Sequence, residues 1–124
     1  MAETAERIAA ASANHSGESA LRGFLDYSDS LARATGVDRV VLGITEPHPT
    51  GSPAWDAALA ALVDYWFSKS KLPKPEWIQS RSRILARPGS PQLGRFDLPP
   101  DPANVPREFL RRNVLLERTT LESV

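Results

Sequence analysis

The stretch Thr50-Gly-Ser-Pro-Ala-Trp-Asp-Ala-Ala-Leu-Ala-Ala-Leu-Val-Asp-Tyr-Trp-Phe-Ser-Lys-Ser-Lys-Leu-Pro73 decides the fold. Ser52 offers a hydroxyl at the N-cap of a helix, and Pro53 follows at the first helical position, where its missing N–H is harmless and its fixed φ suits the turn. Trp55, Leu59, Leu62 and Trp66 then recur at steps of four, three and four, with Ala58, Val63 and Phe67 widening the stripe. Lys69 and Lys71 stand beside the negative end of the macrodipole, and Pro73 and Pro75 stop continuation. The spacing predicts a helix from about Pro53 to Lys71. Burying its large side chains, at roughly 1.5–3 kcal/mol each, makes it the centre against which the rest packs.

Outward from this helix, proline divides the chain: all eleven prolines lie between Pro47 and Pro106, leaving both flanks free to be helical. On the N-terminal side, Leu21, Phe24, Leu25, Ser28, Leu31 and Ala32 follow one helical face, and Gly36 is a natural residue to close it. Val37 to Thr45 reads either as a short strand or as a helical turn, with the weight toward helix. Residues 1–16 are Ala-rich with Ile8 as the single sizeable anchor, and are expected to form a frayed helix or tail. On the C-terminal side, Pro75-Glu-Trp-Ile opens a short helix anchored by Trp77 and Ile78. The segment 88–106, with six prolines in nineteen residues, is expected to be an extended loop. A last helical piece runs through Glu108–Arg112 and stops at Asn113, which tolerates the left-handed conformation. Val114–Leu116 is a short strand or a tether, and Thr119–Val124 favours one final turn. The expected architecture is all-α, mainly helical, with a Pro-rich extended loop and room for one short strand: a single domain over residues 17–124.

Composition narrows the chemistry. The 124 residues fit one ordinary domain. No Cys is present, which excludes disulfides, thiol nucleophiles and Cys-ligated metal, and makes the cytoplasm the default location. No stretch approaches the length of a membrane span, and the first thirteen residues lack the basic start of a signal peptide. Fifteen basic and fifteen acidic residues cancel, but residues 1–64 carry four bases and nine acids, whereas residues 65–124 carry eleven and six. The neutral total hides a dipole.

Catalytic patterns are absent. His15 and His48 stand thirty-three positions apart outside any zinc signature, so no metal is expected. No nucleophile elbow or Walker loop occurs, and Gly51-Ser52-Pro53 is explained by the helix cap. The carboxylate pairs Asp26 with Asp29, and Asp56 with Asp64, read as solvated surface. No enzyme activity and no cofactor are expected.

One segment stands out. Lys69 to Arg95 holds seven basic residues, Lys69, Lys71, Lys74, Arg81, Arg83, Arg87 and Arg95, against the single acid Glu76, with Trp77 among them. Such a segment can meet an acidic protein face or a phosphate backbone, since arginine pairs with either anion. Phe109, Arg111 and Arg112 are further candidates, because aromatic and Arg side chains carry most interface energy. Phe109 has a second reading, as a fastener of the C-terminal turn to the central helix. The candidate partner-binding set is therefore Trp77, Arg81, Arg83, Arg87, Phe109, Arg111 and Arg112.

Three blocks of the chain, Pro49-Thr-Gly-Ser-Pro-Ala-Trp-Asp-Ala-Ala-Leu-Ala-Ala-Leu, Leu72-Pro-Lys-Pro-Glu-Trp and Pro106-Arg-Glu-Phe-Leu-Arg-Arg-Asn-Val-Leu-Leu-Glu with Leu121-Glu-Ser-Val, resemble a module common in actinobacterial proteins. That module follows a helix-turn-helix domain in transcriptional regulators or stands alone, often encoded beside a nucleotidyltransferase-like protein in a toxin–antitoxin pair. The resemblance covers roughly residues 45–124, and this chain has no recognisable helix-turn-helix half. It implies an antitoxin-like regulatory module that binds and neutralises a nucleotidyltransferase-type toxin. The alternative is a nucleic-acid-associated transcriptional regulator using the basic segment 69–95; a homodimer is compatible with either.

Overall fold

A computed structural model of the chain describes residues 6–10, 17–91 and 101–122. Among these its regular elements are all helical: α1 (residues 6–10), α2 (Gly17–Arg33), α3 (Val37–Gly43), α4 (Pro53–Lys69), α5 (Arg107–Leu110) and α6 (Arg118–Glu122). Three 3₁₀ turns, Glu76–Gln79, Arg81–Arg83 and Pro102–Asn104, shape the connections.

The central helix begins as its sequence dictates. The Trp55 N–H donates to Ser52 Oγ at 3.3 Å, and Asp56 Oδ1 accepts from both the N–H and the hydroxyl of Thr50 at 2.8 Å. The helix start is thus tied to the loop before it. At the other end, Lys71 takes φ 53, its N–H donating to the Ser68 carbonyl and that of Leu72 to Phe67. This is a Schellman closure, and it ends α4 at Lys69, two residues short of the expected Lys71. The same closure recurs after α5: Asn113 has φ 60, and the Asn113 and Val114 N–H groups donate to Leu110 and Phe109. Asn113 therefore plays the left-handed role its side chain suits.

Packing departs from a one-sided stripe. Eleven of the seventeen residues of α4 are buried, including the small ones, Ala57, Ala60 and Ala61, that face away from the aromatic stripe. A helix buried nearly all round is wrapped by the rest of the chain. Helices α2, α3 and α5 and the first two 3₁₀ turns all touch it. Trp55 tilts against Phe24 of α2, ring centroids 5.3 Å apart, while Trp66 stays half-buried and donates its indole N–H to Ser28 at 3.0 Å. Ile8 of α1 is fully buried in the same core, and Arg7 pairs with Asp26 at 3.2 Å. The remainder of residues 1–16 lies outside the described residues.

Val37–Gly43 is helical, which resolves the ambiguity of that segment. It approaches α4 so closely at Gly43 that a Cβ there would stand 2.8 Å from the Phe67 ring. The Pro-rich segment is described only at its ends, 88–91 and 101–106. Val114 forms no strand; it makes a single parallel bridge with Gly89, flanked by Gly89 N–H to Asn113 at 3.0 Å and Leu115 N–H to Gly89 at 2.7 Å. Residues 85–89 are thereby held alongside residues 112–115. No helix among the described residues is long and apolar enough to cross a membrane.

Candidate functional site

The chemistry gathers around one carboxylate. Asp64 is the sole charged residue of α4 between Asp56 and Lys69, and the wrapping of the helix leaves it only 2% exposed. Three cations converge on it from other parts of the chain. The turn after α5 brings Arg112, whose Nη1 lies 2.8 Å from Asp64 Oδ2. The Pro73–Pro75 linker brings Lys74, whose Nζ lies 2.6 Å from Oδ1. Arg111, next to Arg112 but pointing outward, sits 3.8 Å from Oδ2, beyond hydrogen-bond length. Burial alone would push the Asp64 carboxyl up, but the hydrogen bonds and charges of Lys74 and Arg112 outweigh it and hold the group below the usual carboxylate range.

Arg112 is itself an internal clamp. Besides Asp64 it donates to the Ile78 carbonyl through Nε and Nη2, at 3.1 and 2.9 Å, and to the Glu108 carbonyl at 2.8 Å. One guanidinium thus joins α4, the first 3₁₀ turn and α5, using the rigid fork that lysine lacks. A cleft of about 230 Å³ is lined by this cluster together with Ile78, Ile84 and Gln79.

Two further arginines do the same work elsewhere. Arg83, 2% exposed, donates to the Pro47 carbonyl at 2.8 Å, the Asp56 carbonyl at 3.2 Å and Glu46 at 3.2 Å, and its guanidinium lies 5.0 Å from the centre of the Trp77 ring. Arg39 of α3 donates to the Leu31 and Ala32 carbonyls that end α2, at 2.8 and 3.1 Å, to the Trp66 carbonyl at 3.1 Å and to the Ser70 hydroxyl. A cation at a helix C-terminus satisfies carbonyls that have no partner within the helix. No buried side-chain nitrogen or oxygen among the described residues lacks a hydrogen-bond partner.

The seven candidate partner-binding residues therefore separate into two groups. Trp77, Arg83, Phe109 and Arg112 are buried and engaged within the chain: the Trp77 indole N–H donates to the Gly43 carbonyl at 3.0 Å, and Phe109 meets Tyr65 edge-on with centroids 6.4 Å apart. Phe109 is thus the fastener of its second reading. Arg81, Arg87 and Arg111 are exposed. Arg95 lies outside the described residues. Placing Asp64 on a solvated face is corrected by its burial. No local signal marked its burial: alanines suit a wet helical face as well as a core, and Ser68, one turn on and donating to Asp64 Oδ1 at 3.3 Å, reads as part of a polar face. Among the described residues no three His, Asp or Glu side chains gather as a metal site would require.

Comparison with models of protein families, with curated proteins and with solved structures gives no match to this chain.

Proposed function

We propose that this chain is a non-enzymatic, antitoxin-like regulatory module of the cytoplasm that binds and neutralises a partner protein of the nucleotidyltransferase-toxin type. The observation that carries the reading is the charge left over once the internal clamps are made. In residues 70–91 the sole acid is Glu76, and among the described residues Lys71, Arg81 and Arg87 have no acidic partner and are exposed. Ile84, 42% exposed, stands among them. Arginine beside an exposed aliphatic is the composition of a protein interface, and its positive charge complements an acidic, metal-binding catalytic pocket.

The test is co-purification of the full chain with the product of the adjacent gene, followed by affinity measurement with Arg81→Glu/Arg87→Glu. Both positions are exposed, so the variant should fold as the wild type does. The pair should form, and the double reversal should weaken it roughly tenfold or more, with added salt having a similar effect. Failure of the wild-type chain to pair, or an affinity indifferent to the reversal, overturns the reading. Binding of duplex DNA with a steep salt dependence would instead favour the nucleic-acid-associated regulator.

A further inference from the structure

The cluster around Asp64 holds more positive charge than its carboxylate can use. Three cations face one anion, an excess of two positive charges at the wall of a cleft. Arg112 is committed: its three nitrogens all donate to Asp64, Ile78 or Glu108. Lys74 and Arg111 are not. The Lys74 ammonium has three N–H donors and gives one to Asp64, and its side chain is 32% exposed. Arg111 has five donors, none in a hydrogen bond among the described residues, and its side chain is 56% exposed. Both line the same cleft, whose other walls are Ile78, Ile84 and the Gln79 amide.

A structural ion pair explains Arg112 but not this arrangement. Asp64 buried against Arg112 is already neutralised, so adding Lys74 and Arg111 builds a positive potential that the fold itself does not consume. Two partly exposed donors beside a concave floor suit the oxygens of a doubly charged anion, and Arg offers them as a planar fork. Ile84, 42% exposed, gives the cleft an apolar side that free phosphate or sulfate would leave uncovered, with the fully buried Ile78 packed behind it.

We propose that this cleft binds a small organic phosphate monoester, with Lys74 and Arg111 holding the phosphate, Asp64, itself fixed by Arg112, positioning them, and Ile84 covering an apolar stem. The site needs no protein partner, so it goes beyond the regulatory reading and stands or falls apart from it.

The test uses the isolated full-length chain, titrated with phenyl phosphate, inorganic phosphate, benzoate and phenol while backbone and arginine side-chain NMR signals are followed. Phenyl phosphate is expected to bind saturably and more tightly than the other three, with shifts confined to Asp64, residues 74–84 and residues 111–112. Arg111→Ala should weaken it roughly tenfold, the effect of removing a charged hydrogen-bond donor, without changing the melting temperature. Arg87→Ala, outside the cleft, should leave affinity unchanged. Any of three results overturns the site: no saturable binding of phenyl phosphate, equal loss in Arg111→Ala and Arg87→Ala, or shifts spread over all exposed cations. Phenol binding as tightly as phenyl phosphate would also overturn it, by showing that the charge does nothing.

Discussion

Asp64 and Arg112 show how a single residue pair can fix the path of a distant segment. The two are forty-eight positions apart, yet both are nearly inaccessible to water, so neither can lose its partner without leaving a charge in a poor solvent. Asp64→Asn is expected to destabilise the fold by about 3 kcal/mol, read from chemical denaturation. The pH dependence carries a sign. Because the folded carboxyl holds its proton less tightly than the ordinary value of 3.8, the unfolded chain gains a proton first on acidification. The contribution is complete above about pH 5 and is lost as pH falls through the folded value, so the wild type should show an acid limb of declining melting temperature that Asp64→Asn flattens. Gly43 belongs to the same scale. Its Cβ would meet the buried Phe67 ring at 2.8 Å and Val63 at 3.1 Å, so Gly43→Ala should lower stability by about 1–3 kcal/mol through overpacking, measured by thermal melting.

Among the elements, α4 is the one whose beginning was plain from sequence and whose surroundings were not. The Ser52 cap and Pro53 start are local chemistry, settled by four or five neighbouring residues, and Ser52→Ala should cost about 1 kcal/mol of stability in a denaturant titration. Its stop depended on Lys71 adopting a left-handed backbone, which a lysine does not advertise. The stripe of Trp55, Leu59 and Leu62 was legible as a face. The burial of Ala57, Ala60 and Asp64 on other faces was not, because alanine is as frequent on wet helices as in cores. Segment 37–43 is too short for periodicity to separate helix from strand. The Tyr27 hydroxyl donating to the Leu42 carbonyl at 2.8 Å, and Arg39 reaching back to α2, hold it as a helix through contacts outside it.

At the scale of the whole molecule, the segment after Pro106 closes the core that the residues before it leave open. Phe109, Val114, Leu116 and Leu121 are each 4% exposed or less, and four such side chains contribute roughly 6–12 kcal/mol. That is comparable to the roughly 5–15 kcal/mol by which a domain is stable. A chain ending at Pro106 is therefore expected to lose cooperative melting and the near-UV signal of its buried tryptophans. Charge was the quantity least readable in advance. The basic run from Lys69 reads as one cationic surface, but Arg83 and Arg112 turn inward to bind carbonyls while Arg81, Arg87 and Arg111 stay in water. By itself the sequence determined the helical class, the position and cap of the central helix, and the left-handed turn at Asn113, because these follow from torsional preference and spacing within a few residues. Tertiary structure alone decided which arginines are clamps, that Asp64 is buried, and that a cationic cleft exists beside it. Each of those depends on groups brought together across 27 to 48 positions, and an arginine has the same letter whether it faces water or a carbonyl.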